Sequence, residues 1–148
     1  MKLDTRAIKI VYLCGPIDAV SAEESKGWRT VAYDKLSQLA VVSTVPGLEV
    51  TKMTPDQIVR LDSHMIRLSD AVIANLNFLS EPPTRRIGTG TLVEIGMAFA
   101  QGKKIIAYSE LPLHNSFFFL RGLCKPMYTS LAEAIAVVED VNEGRIPY

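Results

Sequence analysis

The chain lacks an excess of charge of either sign. Its 148 residues include 16 basic and 16 acidic side chains, so the formal net charge at neutral pH is zero. Proteins that bind nucleic-acid polymers use a surplus of Lys and Arg on one face, and this sequence has no such surplus overall, so we expect no nucleic-acid partner. Zero net charge also gives little repulsion between copies of the chain, which is compatible with self-association.

Cysteine, histidine and long apolar runs are also scarce. Cys14 and Cys124 both lie in apolar stretches, which predicts buried, reduced thiols and a cytoplasmic protein. His64 and His114 are far apart, and no C-x-x-C, H-E-x-x-H or Walker-type motif occurs, so we expect no metal site. No apolar run reaches the roughly 20 residues that cross a bilayer, and the first residues do not resemble a signal peptide, so no membrane role is expected.

The chain does contain a regular alternation of short apolar runs and amphipathic segments. The runs at 7–14, 40–45, 71–76, 104–108 and 127–129 are predicted strands. Helices are predicted to begin at capping-box patterns led by Ser21, Thr54 and Ser130, and after the glycine-rich turn at 88–90. We therefore predict one α/β domain over residues 1–148, a five-stranded parallel sheet with helices on both faces. The segment 111–125 is predicted to be irregular.

Helical spacing also predicts which side chains face the core. For the first helix these are Trp28, Val31, Ala32, Leu36 and Leu39, and for the second they are Ile58, Leu61, Met65 and Leu68. Asp70 stands between a helix and a strand and is interpreted as a turn residue.

The segment 88–104, which reads G-T-G-T-L-V-E-I-G-M-A-F-A-Q-G-K-K, carries the main candidate for chemistry, Glu94. Two interpretations are open. Thr91 and Glu94 have capping-box spacing, so Glu94 would only close the start of a helix. Alternatively, Glu94 is a catalytic carboxylate. The G-T-G turn is a weak signal for phosphate binding, and it lacks both the P-loop lysine and the dinucleotide fingerprint.

Two further residues fit a common crevice with Glu94. Tyr12 lies near the end of the first strand, and Asp62 borders the apolar face of the second helix. In open parallel sheets, ligands bind at the carboxyl ends of the strands, where these side chains would meet. The alternatives are core packing for Tyr12 and simple solvation for Asp62. Two carboxylates and a phenol are suited to cleaving a glycosidic bond.

Three ordered segments resemble the nucleoside 2-deoxyribosyltransferase family. They are V-Y-L-C-G-P at 11–16, D-S-H-M-I-R-L-S-D-A-V-I-A at 62–74 and G-T-L-V-E-I-G-M-A-F-A-Q-G-K at 90–103. The resemblance implies a flavodoxin-like, three-layer fold, homodimers or larger oligomers with shared active sites, and no metal or organic cofactor. It also implies that the partners are small molecules, namely a nucleoside or nucleotide and a nucleobase.

The resemblance assigns roles to the three candidate residues. Glu94 matches the nucleophile that forms a covalent glycosyl-enzyme, and Tyr12 matches the tyrosine that holds it. Asp62 matches the aspartate that donates a proton to the departing base. Substrate-binding positions carried over in the same way are Gly15, Pro16, Gly88, Thr89, Gly90 and, from a neighbouring subunit, Asn115, Ser116 and Phe117.

Gly88 departs from the pattern, because the transferases usually carry an aspartate there that contacts a sugar hydroxyl. The related nucleoside 5′-monophosphate N-glycosidases lack that carboxylate and bind a phosphate in its place. Arg85 and Arg86 lie near Gly88 and favour a phosphate, whereas Asp18 in the first loop opposes one. The leading hypothesis is deoxyribosyl transfer between nucleobases. The alternatives are hydrolysis of nucleoside 5′-monophosphates, a non-catalytic nucleotide-binding module, and a flavodoxin-like interaction domain.

Overall fold

The computed structural model describes residues 6–17, 20–43, 52–77, 87–110 and 118–148. Strands and helices alternate along these ranges. The strands are β1 (Ile10–Cys14), β2 (Ala40–Val42), β3 (Ala71–Asn75), β4 (Lys104–Tyr108) and β5 (Met127–Tyr128). The helices are α1 (Ala22–Lys35), α2 (Pro55–Leu68), α3 (Thr89–Ala100), α4 (Phe118–Leu123) and α5 (Leu131–Asn142).

The five strands form one sheet in the order β2-β1-β3-β4-β5, and every neighbouring pair is parallel. This is the strand order of flavodoxin-like folds. The predicted α/β architecture with a five-stranded parallel sheet is therefore confirmed. The interior strands β1 and β3 are adjacent, with Tyr12 opposite Val72 and Cys14 opposite Ala74.

Each face of the sheet carries its own apolar core, which gives the molecule three layers. Val11 and Leu13 of β1 belong to the core that packs under α1 and α5. Tyr12 and Cys14 belong to the opposite core, together with buried residues of α2, α3 and α4. Successive side chains of a strand point to opposite faces, so residues 12 and 14 share one face. This alternation turns Tyr12 and Cys14 toward α3.

The predicted helix starts are confirmed at two positions and corrected at a third. Ser21 and Thr54 both form complete capping boxes. Ser130 accepts a hydrogen bond from the backbone N–H of Glu133, as predicted. The Glu133 carboxylate, however, accepts from the backbone N–H and the hydroxyl of Thr129, so that capping box is only half formed.

Two predicted core residues are wrong, because each helix is rotated relative to the apolar stripe read from the sequence. Val31 is 47% exposed and Leu68 is 55% exposed, whereas Ile66 is fully buried. Helix α1 instead buries Ser25, Arg29 and Ala32, which lie on one line of its surface. Strand β1 begins at Ile10, three residues later than predicted, and β2 ends at Val42, three residues earlier than predicted. The segment 111–125, which was predicted to be irregular, contains α4.

Asp70 has the turn role predicted for it. One of its carboxylate oxygens accepts hydrogen bonds from the backbone N–H groups of Lys9 and Ile10, at 2.8 and 2.9 Å. The turn before β3 thereby anchors the beginning of β1. Among the described residues, no helix has both the length and the apolar character needed to cross a membrane.

Candidate active site

The site lies where the carboxyl end of β1 meets the first turns of α3. Helix α3 begins at Thr89, with Gly88 as the residue before it, so Glu94 is the sixth residue of the helix. Its side chain is half-buried and points toward the sheet, where it meets Tyr12 and Cys14. The helix therefore places one carboxylate directly above the inward face of β1.

The interpretation of Glu94 as a capping residue is wrong. Gly88 makes no side-chain capping hydrogen bond, and Thr91 lies inside the helix, where it is only 3% exposed. A capping glutamate would occupy the third helical position, whereas Glu94 is one turn further along. The carboxylate consequently has no part in starting the helix.

Each oxygen of the Glu94 carboxylate accepts a hydrogen bond from β1. The Tyr12 hydroxyl donates to Oε1 at 2.5 Å, and the Cys14 thiol donates to Oε2 at 2.9 Å. The first distance is in the range of charge-assisted O–H···O⁻ bonds, which are stronger than neutral ones. Two residues spaced two apart on one strand thus fix the orientation of the carboxylate.

The surroundings raise the pKa of Glu94 from 4.5 to about 7. Burial is the main cause, since it disfavours the charged form, and the negative charge of Asp62 adds to it. The hydrogen bonds from Cys14 and Tyr12 and the positive charge of Arg29 act in the opposite direction. A carboxylate that changes charge near neutrality is typical of catalytic sites.

The two donors stay protonated across the physiological range. Burial raises the pKa of Tyr12 and that of the Cys14 thiol, and the nearby charge of Glu94 raises both further. Neither group therefore becomes an anion beside Glu94, and each keeps a proton to donate. Both groups therefore face Glu94 as hydrogen-bond donors.

Asp62 joins this group from α2. Its side chain is half-buried, and its negative charge acts on both Tyr12 and Glu94, raising the pKa of each. The structure thus brings Tyr12, Asp62 and Glu94 together from β1, α2 and α3.

Arg29 is a component of the site that the sequence reasoning missed. Its guanidinium is buried and donates to the backbone carbonyls of Gly15, at 3.1 Å, and Pro16, at 3.3 Å. It also donates to the carbonyl of Ser25 at 2.6 Å and to the hydroxyl of Ser43 at 2.9 Å. The sequence did contain a sign that Arg29 is buried, because Arg29 is one helical turn from Ala32 and so lies on the apolar face of α1.

Gly15 and Pro16, which were predicted to bind substrate, form a buried turn at the end of β1. Their carbonyl groups face Arg29. A Cβ atom on Gly15 would lie 2.5 Å from the Trp28 ring and 3.0 Å from the Asn75 side chain. Glycine is therefore required here by close packing.

The other predicted binding residues fall into two groups. Gly88, Thr89 and Gly90 form the start of α3, and a Cβ atom on Gly90 would meet nothing within 4 Å, so this turn borders open space. Three predicted binding residues and three loop residues weighed for phosphate binding lie outside the described residues: Asn115, Ser116, Phe117, Asp18, Arg85 and Arg86. Within the described ranges, no three His, Cys, Asp or Glu side chains are grouped to hold a metal ion.

Comparison with known proteins gives a consistent result. A family model described as nucleoside 2-deoxyribosyltransferase matches residues 11–129. Among solved structures, a CMP N-glycosidase of Clostridium botulinum, BcmB, is 27% identical, with a TM-score of 0.59 over 88% of this chain and 98% of that one. A 2-desoxiribosyltransferase from Leishmania mexicana is 22% identical, with a TM-score of 0.63 over 88% and 97% of the two chains. No curated protein matches significantly.

Proposed function

The chain belongs to the nucleoside 2-deoxyribosyltransferase family, and from that premise we propose that it cleaves the N-glycosidic bond of 2′-deoxynucleosides. In this proposal Glu94 forms a covalent glycosyl ester, and the deoxyribosyl group is then transferred to another nucleobase. The observation that carries the proposal is the Glu94 carboxylate, oriented by Tyr12 and Cys14 on either oxygen with Asp62 close by.

The first half of the reaction uses Glu94 as the nucleophile. One oxygen of its carboxylate attacks C1′ of the sugar, and the bond from C1′ to the base nitrogen breaks. The electron pair of that bond goes to the base, and the Asp62 carboxyl supplies the proton that the base accepts. Tyr12 keeps Glu94 oriented during the attack, because its short hydrogen bond restricts rotation of the carboxylate.

The second half reverses these roles with a different base. A nitrogen of the acceptor base attacks C1′ of the ester, Glu94 leaves as a carboxylate, and Asp62 takes up the proton of the acceptor. Two displacements at the same carbon give net retention of configuration. If water takes the place of the base, the product is the free sugar.

A second candidate is hydrolysis of nucleoside 5′-monophosphates, with the same nucleophile. Gly88 gives the start of α3 no side-chain cap, and a carboxylate is missing where it would repel a phosphate. The backbone N–H groups and dipole at a helix start favour an anion. The 27% identity to a CMP N-glycosidase points the same way.

A third candidate is a nucleotide-binding module without turnover. It has the same fold and the same site but makes no use of Glu94 as a nucleophile. It predicts that ligand binding is indifferent to replacement of Glu94 by Gln.

One experiment separates these candidates. The protein is incubated with 2′-deoxynucleosides or their 5′-monophosphates, with and without a second base, and the products are separated by chromatography. Exchanged nucleoside supports the transferase, free base from monophosphates alone supports the hydrolase, and binding without products supports the module.

The role of Glu94 is tested in the same assay with Glu94→Ala and Glu94→Gln. We expect both variants to lose at least about a thousandfold in turnover, because the nucleophile is removed. Glu139→Gln, an exposed position on α5, is the matched control and keeps wild-type turnover. Full activity in Glu94→Ala would falsify the assignment of the nucleophile.

We also propose that the protein is a homo-oligomer. Several large apolar side chains of α3 and α4 are exposed: Leu92 (37%), Val93 (51%), Phe99 (59%) and Phe119 (79%). Exposed apolar surface of this kind is typical of protein interfaces. Sedimentation equilibrium measures the assembly directly, and a monomer at all concentrations would contradict this proposal.

A further inference from the structure

Cys14 is in direct contact with the proposed nucleophile. Its side chain is fully buried, and its Sγ lies 2.9 Å from Glu94 Oε2 and 3.5 Å from the Thr91 carbonyl oxygen. Tyr12 holds the other oxygen of the same carboxylate. The thiol is therefore one of only two hydrogen-bond donors recorded for Glu94 within the described residues.

Other roles for a cysteine fit this position poorly. A nucleophilic or redox-active cysteine needs an accessible thiolate, which is favoured by an electropositive and partly exposed setting. Burial and the neighbouring carboxylate instead raise the pKa of the Cys14 thiol well above its usual range. The proton consequently stays on sulfur, where it is available to Glu94.

We infer that Cys14 is a positioning residue, whose thiol fixes the orientation of the Glu94 carboxylate while leaving it a strong nucleophile. The inference rests on the proposed function, in which Glu94 attacks the sugar. A thiol is a weak hydrogen-bond donor, so it restrains Oε2 and withdraws little charge from it. A second hydroxyl in the same place would hold the carboxylate more tightly and make it less reactive.

Four ionisable groups act on Glu94 within the described residues, and they come from three elements. Tyr12 and Cys14 lie on β1, Asp62 on α2 and Arg29 on α1. Of these four, Tyr12 and Cys14 contact the carboxylate directly, each through a hydrogen bond. Replacing Cys14 removes one direct contact and leaves the three other groups in place.

The chain offers a matched set of variants. Cys14→Ala removes the donor, and Cys14→Ser replaces it with a stronger donor of nearly the same size. Cys124→Ala is the control, because Cys124 is a second buried, free thiol in the same apolar core that has no recorded hydrogen bond to Glu94. If Cys14→Ala folds poorly, Cys14→Ser against Cys124→Ser makes the same comparison.

The first measurement is the titration of the Glu94 side-chain carboxyl by carbon-13 NMR, which does not depend on activity. We expect Cys14→Ala to raise the midpoint by about half a pH unit, less than the loss of an ordinary hydrogen bond to a charged group would, because a thiol is a weak donor. Cys14→Ser lowers the midpoint, since the hydroxyl stabilises the charged form more strongly, and Cys124→Ala leaves it unchanged. Shifts of the same sign in Cys14→Ala and Cys14→Ser would overturn the inference, as would an equal shift in Cys124→Ala.

The second measurement is the pH dependence of turnover. The acid limb of kcat/KM should move with the NMR midpoint in each variant, because the attacking carboxylate must be ionised. Above both midpoints, Cys14→Ala should lower kcat roughly tenfold with little change in KM, since a loosely oriented nucleophile reacts more slowly. An unchanged kcat in Cys14→Ala, or a loss confined to KM, would contradict the positioning role.

Failure of the inference differs from failure of the proposed function. If the wild-type protein turns over no substrate, the proposed function fails and the catalytic part of the inference fails with it. The NMR titration then still decides whether Cys14 controls the charge of Glu94. If the wild type is active and the titration midpoint of Glu94 is the same in the Cys14 variants as in the wild type, only the inference is overturned.

Discussion

Removing the charge of Glu94 should stabilise the protein while it abolishes activity. The pKa of this carboxyl is 4.5 in the reference state and about 7 in the folded protein, chiefly because of burial. A carboxyl with a raised folded pKa stabilises the folded state below pH 4.5, and that contribution is lost as the pH rises through about 7. The interval corresponds to roughly 3 kcal/mol of unfolding free energy, since one pH unit is worth about 1.4 kcal/mol.

The substitution Glu94→Gln keeps the size of the side chain and removes its titration. At about pH 3.5 the two proteins should have similar unfolding free energies, because Glu94 is then mostly neutral in both the folded and the unfolded state. By about pH 8 the variant should be more stable than the wild type by roughly 2–3 kcal/mol. Only the difference between the two proteins matters here, since all other groups titrate in both.

The measurement is urea denaturation at a series of pH values, followed by the fluorescence of Trp28, the single tryptophan. Glu139→Gln is the control, because this exposed residue of α5 should change stability equally little at every pH. A stability difference between Glu94→Gln and wild type that does not grow with pH would refute the reasoning. It would mean that the carboxylate is solvated in the folded protein.

Two further substitutions test how the turn after β1 is held, both by urea denaturation. Arg29→Met should lower the unfolding free energy by about 3 kcal/mol, because it leaves buried carbonyl groups without their donor. Arg60→Met is the control, because this side chain is 77% exposed, and it should change the unfolding free energy by no more than about 0.5 kcal/mol. Equal effects would show that the buried guanidinium is dispensable. Gly15→Ala should lower the unfolding free energy by about 1–3 kcal/mol, because the new Cβ would collide with Trp28. Gly27→Ala, in open space on α1, should instead stabilise by about 0.5–1 kcal/mol; a neutral Gly15→Ala would contradict the close packing.

Much of the fold was predictable because it follows from local patterns. Buried parallel strands are short and almost wholly apolar, and the helix starts at Ser21 and Thr54 carry complete capping boxes. The rotation of each helix was less predictable, since Val31 and Leu68 are apolar yet exposed. An apolar residue beside a core stripe has no local signal that tells whether a neighbouring element covers it.

The glutamate at position 94 shows where local patterns mislead. Its spacing from Thr91 matches a capping box, yet the helix begins two residues before Thr91. A helix boundary depends on where the chain leaves the preceding turn, and that is decided by packing against the sheet as well as by the residues themselves. The resemblance to a known family pointed instead to the interpretation of Glu94 as a catalytic carboxylate.

The sequence alone determined the order of the elements except for α4, the parallel sheet and the family, and it drew attention to Tyr12, Asp62 and Glu94. Only the tertiary structure showed that Tyr12 and Cys14 donate to opposite oxygens of one carboxylate. It also showed the buried Arg29 beneath the turn after β1 and the raised pKa of Glu94. The physical reason is that burial and charge proximity depend on residues up to 82 positions apart meeting across β1 and α3, which no local pattern records.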